Sequence, residues 1–262
     1  METILTSAEP HGIVVIVHGS GEHSGRYKWL TKQWNENGFH VVIGDLPGQG
    51  ETDGLRGYID SFDEYIQTIV TWVKEAEKMN LPIMLLGHSL GGLAIIRTVM
   101  EQRLPLKAII LSSPCLGLVH NPPKVLEEAS KMLNVIAPKI RLDPHISADL
   151  GTRNEEISAT DMFDPLYNRK ISIRWYRELR DAMDLAHDKP ERFQNVPLLI
   201  LQAGSDRIVN KFDVKAWFDR LSIQEKIYKE WEGLYHEVFN EPERKQVFAF
   251  ALEFVRKKLI NE

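Results

Sequence analysis

Residues 81–99 read LPIMLLGHSLGGLAIIRTV. The apolar run Ile83 to Leu86 predicts a buried strand. The run stops at Gly87, and Leu93, Ile95 and Ile96 then open a helical pattern. Between the two lies Gly87-His88-Ser89-Leu90-Gly91, a G-x-S-x-G turn. In a strand–turn–helix setting this places a serine on a sharp bend with its hydroxyl pushed outward. Glycine at 87 and 91 removes Cβ atoms that would collide there. The serine also precedes a helix N-terminus, whose free N–H groups favour developing negative charge. Ser89 is therefore the candidate nucleophile.

A serine hydroxyl needs a base to take its proton, and the base needs a carboxylate to hold its tautomer. On a sheet of this kind the order is Ser, then Asp or Glu, then His. The chain has nine histidines. Positions 11, 18, 23, 40 and 88 precede the serine, and 120, 145 and 187 fall in the middle segment. Only His236, in EGLYHEVFN, follows the last strand-end acid. That acid is Asp206. PLLILQAGSDRIV is an apolar strand running into a Gly-Ser-Asp turn, which delivers a carboxylate at a strand C-terminal end. Asp213 and Asp219 are weaker rivals inside the following helix. The oxyanion donors are expected to be the N–H of Leu90 and an N–H of the HGSG loop after Ile13–Val17. Ser20 is named first and Gly19 second. His18 is read as a brace of that loop, and His88 as a neighbour of the chemistry. Cys115 has no paired base and is not favoured as a nucleophile.

HGSGEHSGRY, GDLPGQGETDG, GHSLGG, LQAGSDRIV and YHEVFNE occur in this order along the chain. The set resembles monoacylglycerol lipases and the related lysophospholipase-like serine hydrolases of the α/β-hydrolase superfamily, over nearly the whole length. The resemblance implies Ser89 as nucleophile, Asp206 as acid, His236 as base, and Ser20 and Leu90 as oxyanion donors. It implies a carboxylic ester of a mono-acyl lipid as substrate, a monoacylglycerol first. A lysophospholipase, a broad carboxylesterase and an aminopeptidase of the same fold are the alternatives. Two departures stand out. Pro47 and Gln49 occupy DLPGQG, where relatives commonly carry a histidine in place of Gln49. METILT is short ahead of the HGSG strand, so an edge strand found in relatives is expected to be missing.

The remaining pattern fits an α/β fold. Strands read at 13–17, 39–45, 83–87, 107–112, 197–202 and 226–231. Helices read at 25–37, 62–79, 211–221 and 241–259. The alternation implies a mainly parallel sheet with helices on both faces. It breaks after Pro114. Residues 122–137 form a strong helix, 140–165 read as irregular, and 171–186 as helical. The expected organisation is a core of 1–114 and 194–262 with a helical cap at 115–193. Leu116, Leu118, Met132 and Leu133 are expected to line an acyl pocket under that cap. Val119, Leu126 and Ile136 are added on the same stripe. Acids at 127, 128, 155, 156, 161 and 164 keep an amine-binding pocket, and so a peptidase, open.

Composition narrows the classes. Hydrophobic residues make up 43% and charged residues 26%, which is ordinary for a globular chain. A formal charge of −5 argues against nucleic acid as partner. The single cysteine excludes an internal disulfide and suits a reducing compartment. METILTSAEPHG has no basic n-region or long apolar stretch, so a cytoplasmic location is expected. No metal-ligand spacing appears and the proton shuttle is all protein, so no cofactor is expected. The expected partner is a small acyl-ester substrate, with transient membrane contact through the cap. Arg26, Arg56 and Arg153 are the cations considered for a phosphorylated head group.

Overall fold

The computed structural model describes residues 1–6, 9–144 and 148–260. In chain order the elements are β1 (Glu2–Ile4), β2 (Gly12–Val17), α1 (Lys28–Glu36), β3 (Phe39–Ile43), α2 (Asp63–Glu77), β4 (Ile83–His88), α3 (Leu90–Glu101) and β5 (Leu106–Ser112). Then follow α4 (Lys124–Ile136), β6 (Arg141–Leu142), α5 (Glu155–Phe163), β7 (Ile171–Ser172) and α6 (Ile173–Asp188). β8 (Leu198–Ala203), α7 (Lys211–Arg220), β9 (Lys226–Trp231) and α8 (Arg244–Ile260) complete the chain.

Seven strands form one sheet in the order β1-β3-β2-β4-β5-β8-β9. All neighbours are parallel except β1, which pairs antiparallel with β3. The six residues of β2 are all buried, as expected for a strand covered on both faces. Side chains alternate between two apolar layers. Ile13, Val15 and Val17 face a cluster containing Tyr65 and Ile69 of α2, Leu93 and Ile96 of α3, and Trp217 of α7. Val14 and Ile16 face the other cluster, with Trp34 of α1 and Val247, Phe248 and Val255 of α8. Two-sided burial of this kind is what the near-continuous apolar strands call for.

Three expectations need correction. The edge strand thought to be missing is present: Thr3 pairs with Val42 in β1–β3. Three residues are too few to carry an alternation signal. The stretch read as irregular contains α5. Asn154 caps it, its side chain accepting from the N–H groups of Glu156 and Ile157, and Glu155 and Glu156 sit in its first turn. That cap was readable, but the weak apolar face of the helix was not. The 115–193 segment is not one separate layer. α6 buries Trp175, Leu179, Ala182, Met183 and Ala186 in the main core cluster. The two-stranded β6–β7 pair lies outside the seven-stranded sheet.

Candidate active site

β4 ends at His88 and α3 starts at Leu90, so Ser89 alone makes the turn. Its φ is 50° and ψ −116°, a region that a side-chain-bearing residue occupies only when its surroundings force it. The surroundings do so. A Cβ on Gly87 would lie 2.7 Å from the Gly91 carbonyl oxygen. One on Gly91 would lie 2.2 Å from the Val17 carbonyl oxygen. The Ser89 N–H donates to the Ser112 carbonyl at 2.9 Å, and the Ser89 carbonyl accepts from Cys115 N–H at 3.0 Å. The elbow is thus clamped between β2 and β5.

Asp206 follows β8 directly. Its Oδ1 accepts from the N–H groups of Ile208 and Val209, both at 2.9 Å. Its Oδ2 accepts from His236 Nδ1 at 2.9 Å and from Gln202 Nε2 at 3.2 Å. Burial alone would push this carboxyl up, but His236 and the two backbone donors hold it below its ordinary value. Burial alone would pull His236 down, but Asp206 outweighs it and raises the imidazole above its ordinary value. With Nδ1–H fixed on Asp206, His236 Nε2 is the nitrogen left to act as acceptor. Ser89 and His236 line the same cavity. His88 lies beside them, its ring 4.7 Å from that of His236, with Nδ1 on Ser112. Burial lowers the His88 pKa from its ordinary value, although Glu22 works against it.

The HGSG loop sits on the same cavity through Gly19 and Ser20. Gly19 N–H is taken: it donates to Glu22 Oε2 at 2.6 Å. That leaves Ser20 as the loop's candidate donor, opposite Leu90 at the start of α3. His18 braces the loop as expected. Its Nδ1 pairs with the Gly19 carbonyl at 2.8 Å and its Nε2 accepts from Leu46 N–H at 2.9 Å. Gln49, fully buried, holds Gly21 N–H at 3.0 Å. Where a histidine would titrate, this amide does not.

One feature escaped the sequence reading. Arg26, with a side chain 5% exposed, lies among three carboxylates. It pairs with Glu22, with Asp161 through Nε at 2.8 Å and through Nη2, and with Glu237 at 3.0 Å. Glu22 belongs to the oxyanion loop, Glu237 adjoins His236, and Asp161 comes from α5. Three parts of the site are tied at one guanidinium. The signal was present, since Glu22 and Arg26 stand four residues apart in GEHSGRY, but their partners lie 135 and 211 residues away from Arg26.

The expected acyl-pocket residues lie elsewhere. Leu116 is in the core, and Leu118 packs against it. Met132 is 62% exposed on α4, and Leu133 is half-buried. None of the four lines the Ser89 cavity among the described residues. Val125, Leu126, Val135 and Ile136 of α4 are exposed as well. The amphipathic stripe was real, but it faces outward because α4 meets α6 through Glu127, which pairs with Tyr176 and Arg177. The cavity wall opposite Ser89 comes instead from Pro144, Tyr167–Arg169, Ile171 and Ile208. His145 lies outside the described residues. Of the three cations considered for a phosphate, Arg26 is occupied as above and Arg153 pairs with Glu241 and Glu243. Arg56 donates to the Pro165 carbonyl at 2.7 Å. No cluster of three or more His, Cys, Asp or Glu side chains placed to hold a metal occurs among the described residues. No helix among them is long and apolar enough to cross a membrane.

The chain is similar to proteins already known. The family model Hydrolase_4, described as serine aminopeptidase, S33, matches residues 8–243. Phospholipase YtpA of Bacillus subtilis (strain 168) is 52% identical over 246 residues, covering 94% of this chain and 95% of the relative. The monoacylglycerol lipase of Mycolicibacterium smegmatis is 31% identical over 244 residues, covering 91% of this chain and 86% of the relative. The crystal structure of Paleococcus ferrophilus monoacylglycerol lipase superposes with a TM-score of 0.89 at 31% identity, over 98% of each chain.

Proposed function

The chain belongs to the Hydrolase_4 family of α/β-hydrolases, and from that premise we propose that it cleaves the carboxylic ester of a mono-acyl lipid through an acyl-enzyme on Ser89. The observation that carries this reading is the Asp206–His236 hydrogen bond of 2.9 Å beside a serine held at a φ of 50°. Ser89 Oγ attacks the ester carbonyl while His236 Nε2 takes its proton. The carbonyl oxygen becomes an oxyanion facing the N–H groups of Ser20 and Leu90. Collapse breaks the C–O bond, and the imidazolium returns its proton to the leaving alcohol. Water, deprotonated by the same imidazole, then releases the fatty acid and restores Ser89. Asp206 stays ionised and keeps the imidazole oriented.

The peptidase alternative asks for a carboxylate free to bind a substrate amine. Asp161 is tied to Arg26, Asp164 to His23 at 2.8 Å, and Glu127 to Arg177. Glu128 lies on the surface with Lys131. Four of the six acids that kept this reading open are thus already paired, and Glu155 and Glu156 are exposed in the first turn of α5 and do not line the Ser89 cavity, which favours an ester over an aminoacyl substrate. The monoacylglycerol head group, small and neutral, suits a cavity wall where Glu22 and Glu237 are both already paired with Arg26. α4, α5 and the β6–β7 pair serve as the cap, and the exposed apolar side chains of α4 are proposed to rest on lipid surfaces.

The test is a panel of p-nitrophenyl and glyceryl esters of rising acyl length, run beside aminoacyl-anilides. Hydrolysis of esters alone is expected, with kcat/KM rising from C4 to C10. Each buried methylene contributes about 0.8 kcal/mol. Turnover of the anilides at comparable rates would move the assignment to a peptidase, and a flat acyl series would remove the lipid.

The pH profile is a second check. His236 must be neutral to act as base, and Asp206 raises it above an ordinary histidine. The rise of kcat/KM is therefore expected with a midpoint above about 6.5, followed by a plateau. The protonated His236–Asp206 pair contributes stability that is present below the unfolded histidine value and lost as pH rises through the folded one. Asp206→Asn should move the kinetic midpoint down. A midpoint indifferent to that change would mean another group is titrating.

A further inference from the structure

Of the cations that the sequence suggested for a phosphate, Arg26 and Arg153 are paired with carboxylates; Arg169, like Arg56, has only backbone carbonyls as hydrogen-bond partners, and unlike Arg56 it lines the cavity that holds Ser89. Arg169 is exposed and lines the cavity that holds Ser89 and His236. No carboxylate among the described residues pairs with it. Its Nη2 donates to the carbonyls of Met162 at 2.8 Å and Asp161 at 3.2 Å, at the C-terminal end of α5. Two hydrogens on one nitrogen are thereby used, and Nε–H and Nη1 have no partner among the described residues. A guanidinium keeps its charge at any ordinary pH and presents a fixed fork that matches phosphate oxygens.

The fork is also held in place from its backbone. Asn168 N–H donates to the Gly21 carbonyl at 2.8 Å, one residue beyond the oxyanion donor Ser20. Ser172 N–H donates to the Gly57 carbonyl at 2.7 Å. Arg169 lies between these two anchors, and its guanidinium is fixed at the far end by α5. A cation held at both ends, lining the cavity and without a carboxylate partner among the described residues, is a preorganised anion contact. Arg26 and Arg153, each surrounded by carboxylates, show what a purely structural arginine looks like in this fold.

We propose that Arg169 is a head-group subsite for the phosphate of a lysophospholipid, extending the substrate range of the Ser89 site from neutral to phosphorylated mono-acyl lipids. The inference rests on the ester-hydrolase reading above. The phosphate of a head group sits a few bonds from the scissile ester, so a subsite on the same cavity wall as Ile171 and Ser20 meets it without distorting the acyl chain.

The experiment compares kcat/KM for a lysophosphatidyl lipid and a monoacylglycerol carrying the same acyl chain, in wild type, Arg169→Gln and Arg169→Lys. Arg169→Gln is expected to lower the ratio of the lysophosphatidyl to the monoacylglycerol value about 10- to 100-fold, the range of a lost charge-assisted contact. Arg169→Lys keeps the charge and loses the fork, so it should fall between. Thermal unfolding of each variant is the control for folding. Millimolar inorganic phosphate should leave monoacylglycerol hydrolysis unchanged; inhibition relieved by Arg169→Gln would reassign the site to a free anion and overturn the head-group role. Equal losses on both substrates, or none, would also overturn it. Ser89→Ala separates the two levels of the claim: hydrolysis that survives it removes the ester-hydrolase reading itself, whatever Arg169 does.

Discussion

Ser89→Ala is expected to lose roughly six orders of magnitude in kcat and all labelling by a fluorophosphonate probe, which should modify wild type once per chain. His236→Ala should fall to a similar level. Asp206→Asn should lose about four orders, because the carboxylate orients and stabilises rather than reacts. The losses should not add in double variants, since each removes the same concerted unit. Additive losses, or labelling that persists in Ser89→Ala, would place the nucleophile elsewhere. The backbone supplies an independent readout. A φ of 50° with ψ of −116° suits glycine and strains serine. Ser89→Gly should therefore be inactive yet more stable than wild type, by about 1 kcal/mol in urea unfolding. An inactive variant that was also destabilised would mean that the turn is held by the serine side chain, not by its glycine neighbours.

The elbow was legible because three local signals agree on it: an apolar strand, two glycines and a helical period, all within nineteen residues. Asp206 and His236 were legible because they stand at strand ends in the required order. The parts that escaped depend on contacts between distant segments. The four-residue spacing of Glu22 and Arg26 is one that surface pairs share; the partners that mark Arg26 as buried, Asp161 and Glu237, are distant in sequence. The stripe on α4 shows the converse. Period tells that Val125, Leu126, Met132 and Ile136 share a face, but not whether another layer covers it. In this fold α6 takes the polar side of α4 through Glu127, and the apolar side is left outward. α6 itself was grouped with the cap from its position in the chain, although its Trp175 and Leu179 complete the same layer as α2 and α3.

The second large effect belongs to Arg26. Arg26→Met should destabilise the protein by about 3–5 kcal/mol at neutral pH, the range for stripping the only cation from a buried charged cluster. Glu22, Asp161 and Glu237 have side chains between 4% and 9% exposed, so water cannot replace the guanidinium. The pH dependence follows from the carboxylates. Burial alone would raise Glu22, but Arg26, helped by His88 and Tyr27, holds it well below the ordinary glutamate range. In wild type that contribution is present above the unfolded value and is lost as pH falls through the folded one. Without Arg26 the same burial raises the carboxyls, so the folded variant binds protons more tightly than the unfolded chain and gains stability as pH falls. The gap between variant and wild type should therefore narrow from pH 8 to pH 5. Asp161→Asn should cost far less. Burial, with Glu237 and Glu22 beside it, already keeps the Asp161 carboxyl above its ordinary value despite Arg26, so its charge is held less firmly than that of Glu22. Removing its charge leaves Arg26 with two partners on the loops that carry Ser20 and His236. Urea unfolding of the two variants at both pH values decides the matter. A gap that stays constant between pH 8 and pH 5, or an Asp161→Asn loss as large as that of Arg26→Met, would show that the cluster acts through packing and not through charge.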